Sequence, residues 1–229
     1  MKYKLLIFGI MILVYIFALL KIYFKEKQSI KYKITTKHIV RVGVFGALSA
    51  ILYIFVKFPV PFLPSFLEFH FDEIPVFIAS FAYGPVSGIC VLLIKTLIKL
   101  PLTSTLGVGE ITDFLFSLVF ILPGAMLYKK NRKFKSVIVG LIIGFALQLF
   151  VSLLGNIYMM IPFYMNMMGF SKETILGLCQ LANSNITDVG WTYGLLAVLP
   201  FNAIKNAAVL FATIISYKSL HQFIDKLQN

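Results

Sequence analysis

This 229-residue chain carries little charge, two cysteines and none of the short motifs that mark common catalysts. Charged residues make up only 13% of it, against 59% hydrophobic residues. With a mean hydropathy of +0.91, that balance excludes a soluble globular domain and points to a polytopic membrane protein. No hydrophilic stretch is long enough to fold as a second domain, so function resides among the spans. Cys90 and Cys179 form no metal or redox spacing, and Cys90 reads as a small packing residue in an apolar helical run. There is no G-x-x-x-x-G-K-[ST], which excludes nucleotide hydrolysis on a P-loop. There is no H-E-x-x-H, and His38, His70 and His221 sit on separate segments, so no pair has metal spacing. Spacing suggests no Ser–His–Asp set either. An enzyme is therefore not expected.

What the chain has is long apolar runs separated by basic ones. The first run, Leu5 to Phe24, lacks a small-residue cleavage site and reads as an uncleaved helix. A linker with Lys25, Lys27, Lys31, Lys33 and Lys37 comes next. The second span, about His38 to Val56, carries Gly43/Ala47 and Gly46/Ala50 at a spacing that lets helix backbones approach closely. Those pairs serve either packing within the bundle or docking of a partner helix.

Between Lys57 and Asp72, three prolines (Pro59, Pro61, Pro64) forbid a continuous helix, while Phe66, Phe69 and Phe71 argue against free solvation. Asp72-Glu73-Ile74-Pro75 has the acids and proline of a helix start. Gly84-Pro85 divides the apolar stretch beyond it into Ile74–Tyr83 and Pro85–Leu100, read as two helices too short to span singly. A polar connection from Thr103 to Glu110 leads to a span ending near Tyr128. Ser136 to Met160 forms another, Met159 to Gly190 is a mixed connection, and Thr192 to Tyr217 is the last span.

The excess of 21 Lys and Arg over 9 Asp and Glu gives a net charge of +12. Seven of those basic residues lie in 21–41, five in 129–135 and two after Tyr217. This grouping orients the chain in a membrane, with basic loops cytoplasmic, rather than forming a nucleic-acid surface.

The last span holds Asn202 and Lys205, three apart and so on one helical face. An ammonium there costs roughly 2.5–3.5 kcal/mol on insertion scales. Either that face lines a protein cavity and holds a polar ligand, or Lys205 snorkels and Asn202 bonds a neighbouring helix. Lys95 and Lys99 lie one turn apart near a helix end, in a cavity or snorkelling. Glu110 and Asp113 open a helix, where the dipole favours acids whether or not they meet a ligand. Asn156 and Asn202 offer amides that suit alternating donors and acceptors. The stretch Phe58–Phe71, with Leu63, Phe66 and Leu67, suits an apolar lid on the same side as Thr105 and Glu110. Trp191 suits an interfacial belt.

Phe58-Pro59-Val60-Pro61-Phe62-Leu63-Pro64-Ser65-Phe66-Leu67-Glu68-Phe69 and Phe71-Asp72-Glu73-Ile74-Pro75 resemble the first loop of the riboflavin-specific S components of energy-coupling-factor (ECF) transporters. Tyr83-Gly84-Pro85 resembles the helix break found after that loop in the family, and Pro200-Phe201-Asn202-Ala203-Ile204-Lys205 its last-helix signature. The resemblance runs from about His38 to Leu220.

It implies an all-α integral membrane protein: a six-helix vitamin-binding bundle over 38–220, an extra N-terminal helix and linker over 1–37, and a cytoplasmic tail over 221–229. It implies a non-enzymatic subunit of a bacterial plasma-membrane importer, with riboflavin as cargo and FMN an open second ligand. The partners implied are a transmembrane coupling subunit and two ATPases that use the ATP; the chain itself carries no cofactor. By resemblance Asn202, Lys205 and Asn156 contact the flavin, with Leu63, Phe66, Leu67, Glu110, Thr105 and Lys95 as further candidates. Gly43, Ala47 and Ala50 face the coupling subunit. The competing readings are an S component for another vitamin (thiamine, folate or pantothenate) and a solitary secondary transporter. The latter is disfavoured because no inverted repeat is visible.

Overall fold

The computed structural model describes Tyr15, Phe17, Lys21 and residues 35–228 apart from Ser65. Apart from those three residues, the expected helix Leu5–Phe24 and its linker as far as residue 34 lie outside the described part; Lys37, expected in that linker, sits in the first turn of the next helix. Helix α1 (Thr36–Phe55) is capped by Thr35, whose hydroxyl accepts from the His38 amide. A hairpin of β1 (Lys57–Pro59) and β2 (Glu68–His70) comes next, paired antiparallel with Phe58 opposite Phe69. The proline-rich stretch is thus partly a two-stranded ribbon, where the sequence suggested only a loop. Val60, Leu63 and Phe69 fold under it into an apolar cluster with Ile175, Ile186 and Tyr193.

Helix α2 (Glu73–Tyr83) and α3 (Pro85–Lys99) meet at Gly84, whose φ of 95° is a conformation that glycine adopts without a Cβ clash. Pro85 seats the first turn of α3, where its missing N–H is no loss. A 3-10 turn, Leu100–Leu102, extends α3 to 18 residues, long enough to cross a bilayer. This corrects the expectation of two short helices: only α2 is short.

Helix α4 (Val108–Lys130) packs along α5 (Phe134–Gly155) with glycine at the contact. A Cβ on Gly140 would lie 2.5 Å from the Cα of Gly124, and one on Gly144 would overlap the Phe120 carbonyl oxygen. Backbone contact this close fixes α4 against α5 and so sets Asp113 relative to Gln148. A π-helical turn, Asn156–Met160, joins α5 to α6 (Ile161–Asn166), so this span continues past its expected end at Met160. The connection from α6 to the last span is not irregular throughout: it holds α7 (Lys172–Ala182), capped by Ser171. A second π turn, Gly194–Val198, joins the short α8 (Trp191–Tyr193) to α9 (Leu199–Gln228). The two π turns touch: a Cβ on Gly194 would come within 2.7 Å of Ile157 and Leu153 side-chain carbons. Single π turns occur where a helix re-aims its side chains. The first of these carries Asn156, and the second leads directly into Phe201 and Asn202.

The chain is an all-α membrane protein, with one small ribbon among the described residues. Among the described residues, five helical stretches are long and apolar enough to cross a membrane: Thr36–Phe55, Pro85–Leu102, Val108–Lys130, Phe134–Asn166 and Trp191–Ser216. Side chains such as Val44, Ile142, Phe150 and Phe211 point outward, as a lipid-facing surface requires.

Candidate ligand-binding site

A cavity of about 510 Å³ opens between the β1–β2 ribbon, the start of α4, α7 and the facing sides of α5 and α9. Its floor is built on a buried ionic cluster. Lys95, fully buried on α3, ion-pairs with Asp72 and places its Nζ 2.8 Å from Asp113 Oδ2. Lys205 on α9 sits 2.8 Å from Glu73 Oε1 and 3.9 Å from Asp113 Oδ1. Two ammonium groups therefore face three carboxylates, which is how charge survives inside a membrane bundle.

His70, at the end of β2, joins the cluster. Its Nδ1 bonds Asp72 and its Nε2 lies 3.3 Å from Lys205 Nζ. An ammonium only donates, so Nε2 is the acceptor and the ring proton sits on Nδ1. The ribbon is thereby tied to the floor. Asp72 makes no side-chain cap on α2, contrary to the expectation for a helix start. Its carboxylate is committed to Lys95 and His70 instead.

A neutral network adjoins the charged one. Asn202 Nδ2 donates to the Val198 carbonyl at 2.9 Å, so its Oδ1 must face outward from that bond. Gln148 Nε2 donates to that Oδ1 at 3.0 Å, and Gln148 Oε1 accepts from Asn206. Each amide orientation dictates the next, starting from a carbonyl that only accepts. Asn156 donates to the Ser152 carbonyl at 2.9 Å and accepts from Tyr193 at 3.4 Å.

At the rim, Glu110 accepts from Thr103 Oγ1 at 2.6 Å and Thr105 Oγ1 at 3.0 Å. The two hydroxyls also cap backbone amides of Gly107 and Gly109, which locks the connection into α4. Lys57 reaches across the ribbon to both oxygens of Glu68, at 2.6 and 2.8 Å. Phe66 lies against Tyr164 and Tyr193, with ring centroids 6.4 and 6.2 Å apart.

Of the residues singled out in the sequence, Asn202, Lys205, Asn156, Phe66, Leu67, Glu110 and Thr105 line this cavity, as do Lys99 and Asp113. Two do not. Leu63 is buried in the cluster beneath the ribbon, and Lys95 is enclosed behind the floor by its carboxylates. Ala50 also departs from expectation: at 2% exposure it faces the bundle, so it is not available to a docking partner. Gly43 meets open space and Ala47 is exposed. Sequence reasoning missed Gln148 and His70 as lining residues, and took Glu73 only for a helix start. The lone amide of Gln148 within an apolar span was the available signal.

Residues 37–217 match the family described as ECF transporter, substrate-specific component. The chain belongs to that family. It is 30% identical over 191 residues to the riboflavin transporter RibU of Staphylococcus aureus (strain TCH60), covering 83% of this chain and 94% of the relative. It is 28% identical over 193 residues to the riboflavin transporter FmnP of Bacillus subtilis (strain 168), covering 83% and 95%. A solved structure of the S component of a bacterial ECF transporter superposes with a TM-score of 0.63 at 30% identity, covering 82% of this chain and 97% of that one. As an S component the chain is a substrate-specificity subunit that works with other ECF components, and its relatives are transporters.

Proposed function

We propose that this S component binds riboflavin in the cavity above Asn202 and Lys205 and delivers it through an ECF module of one coupling subunit and two ATPases. The observation that carries the reading is the cavity itself. Its volume falls in the small-ligand range of roughly 300–1,000 Å³. Its walls divide as a flavin does: Phe116, Phe120 and Phe201 for a flat ring, amides and an ammonium for its polar edge, and a hydroxyl-rich rim for a polyol. Two relatives that match most of the chain are named as riboflavin transporters.

The cavity faces outward. Helix α4 carries Glu110 in its first turn at the rim and ends in Lys129 and Lys130, about 30 Å from Glu110 at 1.5 Å per residue. The cavity therefore opens opposite the basic loop 129–135, the loop that the positive-inside rule assigns to the cytoplasm. The coupling subunit docks on the outward stripe of α1, where Gly43 and Ala47 leave room for a close backbone approach. Lipid covers the remaining apolar faces.

Uptake of labelled riboflavin tests this. Cells unable to make or import riboflavin should regain uptake only when this chain and the energising subunits are expressed together. Absence of uptake with all components present in the membrane would overturn the reading.

A further inference from the structure

Among the described residues that line the cavity, one buried side-chain polar atom has no hydrogen-bond partner, and it belongs to Glu73. Glu73 lines the cavity and is 2% exposed. Its Oε1 accepts from Lys205 Nζ at 2.8 Å and from Ser117 Oγ at 3.5 Å. Its Oε2 is buried and accepts no hydrogen bond among the described residues. His70 Nδ1 stands 3.8 Å away and is already engaged by Asp72. Buried carboxylate oxygens rarely go without a donor, because the lost hydration is not replaced.

We propose that Glu73 accepts a hydrogen bond from a ring N–H of the ligand, so that Glu73 and Lys205 together read a cyclic imide edge. The inference rests on the riboflavin reading and sharpens it. Lys205 Nζ and the Glu73 carboxylate are bonded to each other, so a donor and an acceptor stand side by side at the floor. A cyclic imide presents the complement on adjacent ring atoms: a carbonyl for the ammonium and an N–H for the carboxylate. The torsion between a carboxylate and its methylene is soft, so one oxygen can turn to the ligand while the other keeps Lys205. A carboxylate accepts only, and thus cannot serve a ring carbonyl or a ring-nitrogen lone pair.

A polyol hydroxyl is the rival donor. It fits the floor less well, because the Thr103 and Thr105 hydroxyls gather on Glu110 at the rim, where they make a polar wall suited to a polyol. The imide therefore points down and the polyol up.

The test compares riboflavin, 3-methylriboflavin and lumiflavin, which keeps the N3–H but lacks the polyol, on the wild type and on Glu73→Gln. In the wild type, methylation at N3 should weaken binding about tenfold to a hundredfold, the worth of a charge-assisted hydrogen bond. In Glu73→Gln that discrimination should fall several-fold, because an uncharged amide oxygen is a weaker acceptor than a carboxylate, while the penalty for removing the polyol stays as in the wild type. Equal discrimination at N3 in both proteins overturns the proposal. So does a polyol penalty that vanishes in Glu73→Gln, which would place a hydroxyl on this carboxylate. If Glu73→Gln does not fold, riboflavin labelled with nitrogen-15 at N3 decides the matter in the wild type. The bound N3–H should move downfield and resist solvent exchange, and exchange as fast as in free riboflavin overturns the proposal. Failure of riboflavin itself to bind the wild type would instead refute the parent reading and carry this one with it.

Discussion

Replacing Lys95 by methionine isolates what the buried ionic cluster contributes. Lys95 is fully buried, ion-pairs with Asp72 and lies 2.8 Å from Asp113, yet it does not line the cavity. Methionine keeps most of the chain's length and its apolar stem, so little packing is lost. It leaves three carboxylates (Asp72, Glu73 and Asp113) facing Lys205 alone. Breaking a buried pair by removing one partner costs about 3–5 kcal/mol, because the remaining charge is uncompensated. For a protein of this size each kcal/mol moves the melting point by about 2–4 °C, so a fall of about 6–20 °C is expected. The assay is thermal unfolding of purified protein in detergent, followed by the emission of the single tryptophan, Trp191. The double variant Lys95→Met/Asp72→Asn restores the balance of charge and should recover a substantial part of the loss. Lys99→Met is the control: Lys99 is half-buried over the Tyr53 ring, 5.3 Å from its centroid, with no carboxylate in ion-pair range among the described residues. It should shift melting by no more than a few degrees. A Lys95→Met protein that melts like the wild type would refute the cluster's structural role.

Three further variants probe the same geometry. Gln148→Leu leaves Asn202 Oδ1 and Asn206 Nδ2 without their partner, and should weaken riboflavin binding about tenfold in a fluorescence titration, one lost hydrogen bond's worth. Gly140→Val forces side-chain atoms into the Gly124 backbone and should destabilise the α4–α5 pair by about 1–3 kcal/mol or more, read by the same thermal assay. Gly43→Leu with Ala47→Leu should abolish co-purification with the coupling subunit while riboflavin affinity stays unchanged, since neither residue lines the cavity.

Much of the fold was legible because it is written in local chemistry. Apolar runs bounded by basic loops located the spans, and three prolines marked the segment between α1 and α2 as non-helical. Asn202 and Lys205 could be placed on one face from their spacing alone. What sequence could not supply was the partner of each charge. Lys95 meets Asp113 from 18 residues away and Asp72 from 23 residues away, and Lys205 meets His70 across 135. Those pairings depend on which helices pack together, and no periodicity encodes that. Lys95 accordingly looked like a cavity residue and turned out to hold the floor from behind. Leu63 lies in the same lid segment as Phe66 and Leu67, but the ribbon turns it under rather than toward the cavity. The length of α3 was underestimated because the 3-10 turn over Leu100–Leu102 runs through a proline that normally ends a helix. Gln148 gave only a weak signal, a lone amide in an apolar span, until Asn202 and Asn206 appeared opposite it.

The most direct measurement is a titration of the purified protein with riboflavin, following quenching of flavin fluorescence, for the wild type, Asn202→Ala and Lys205→Ala. Saturable one-to-one binding in the wild type is expected. Each variant should bind at least tenfold more weakly, by the worth of a single hydrogen bond to a charged or amide group. Failure of the wild type to bind riboflavin, or undiminished binding by both variants, would contradict a flavin site on the floor built by Asn202 and Lys205.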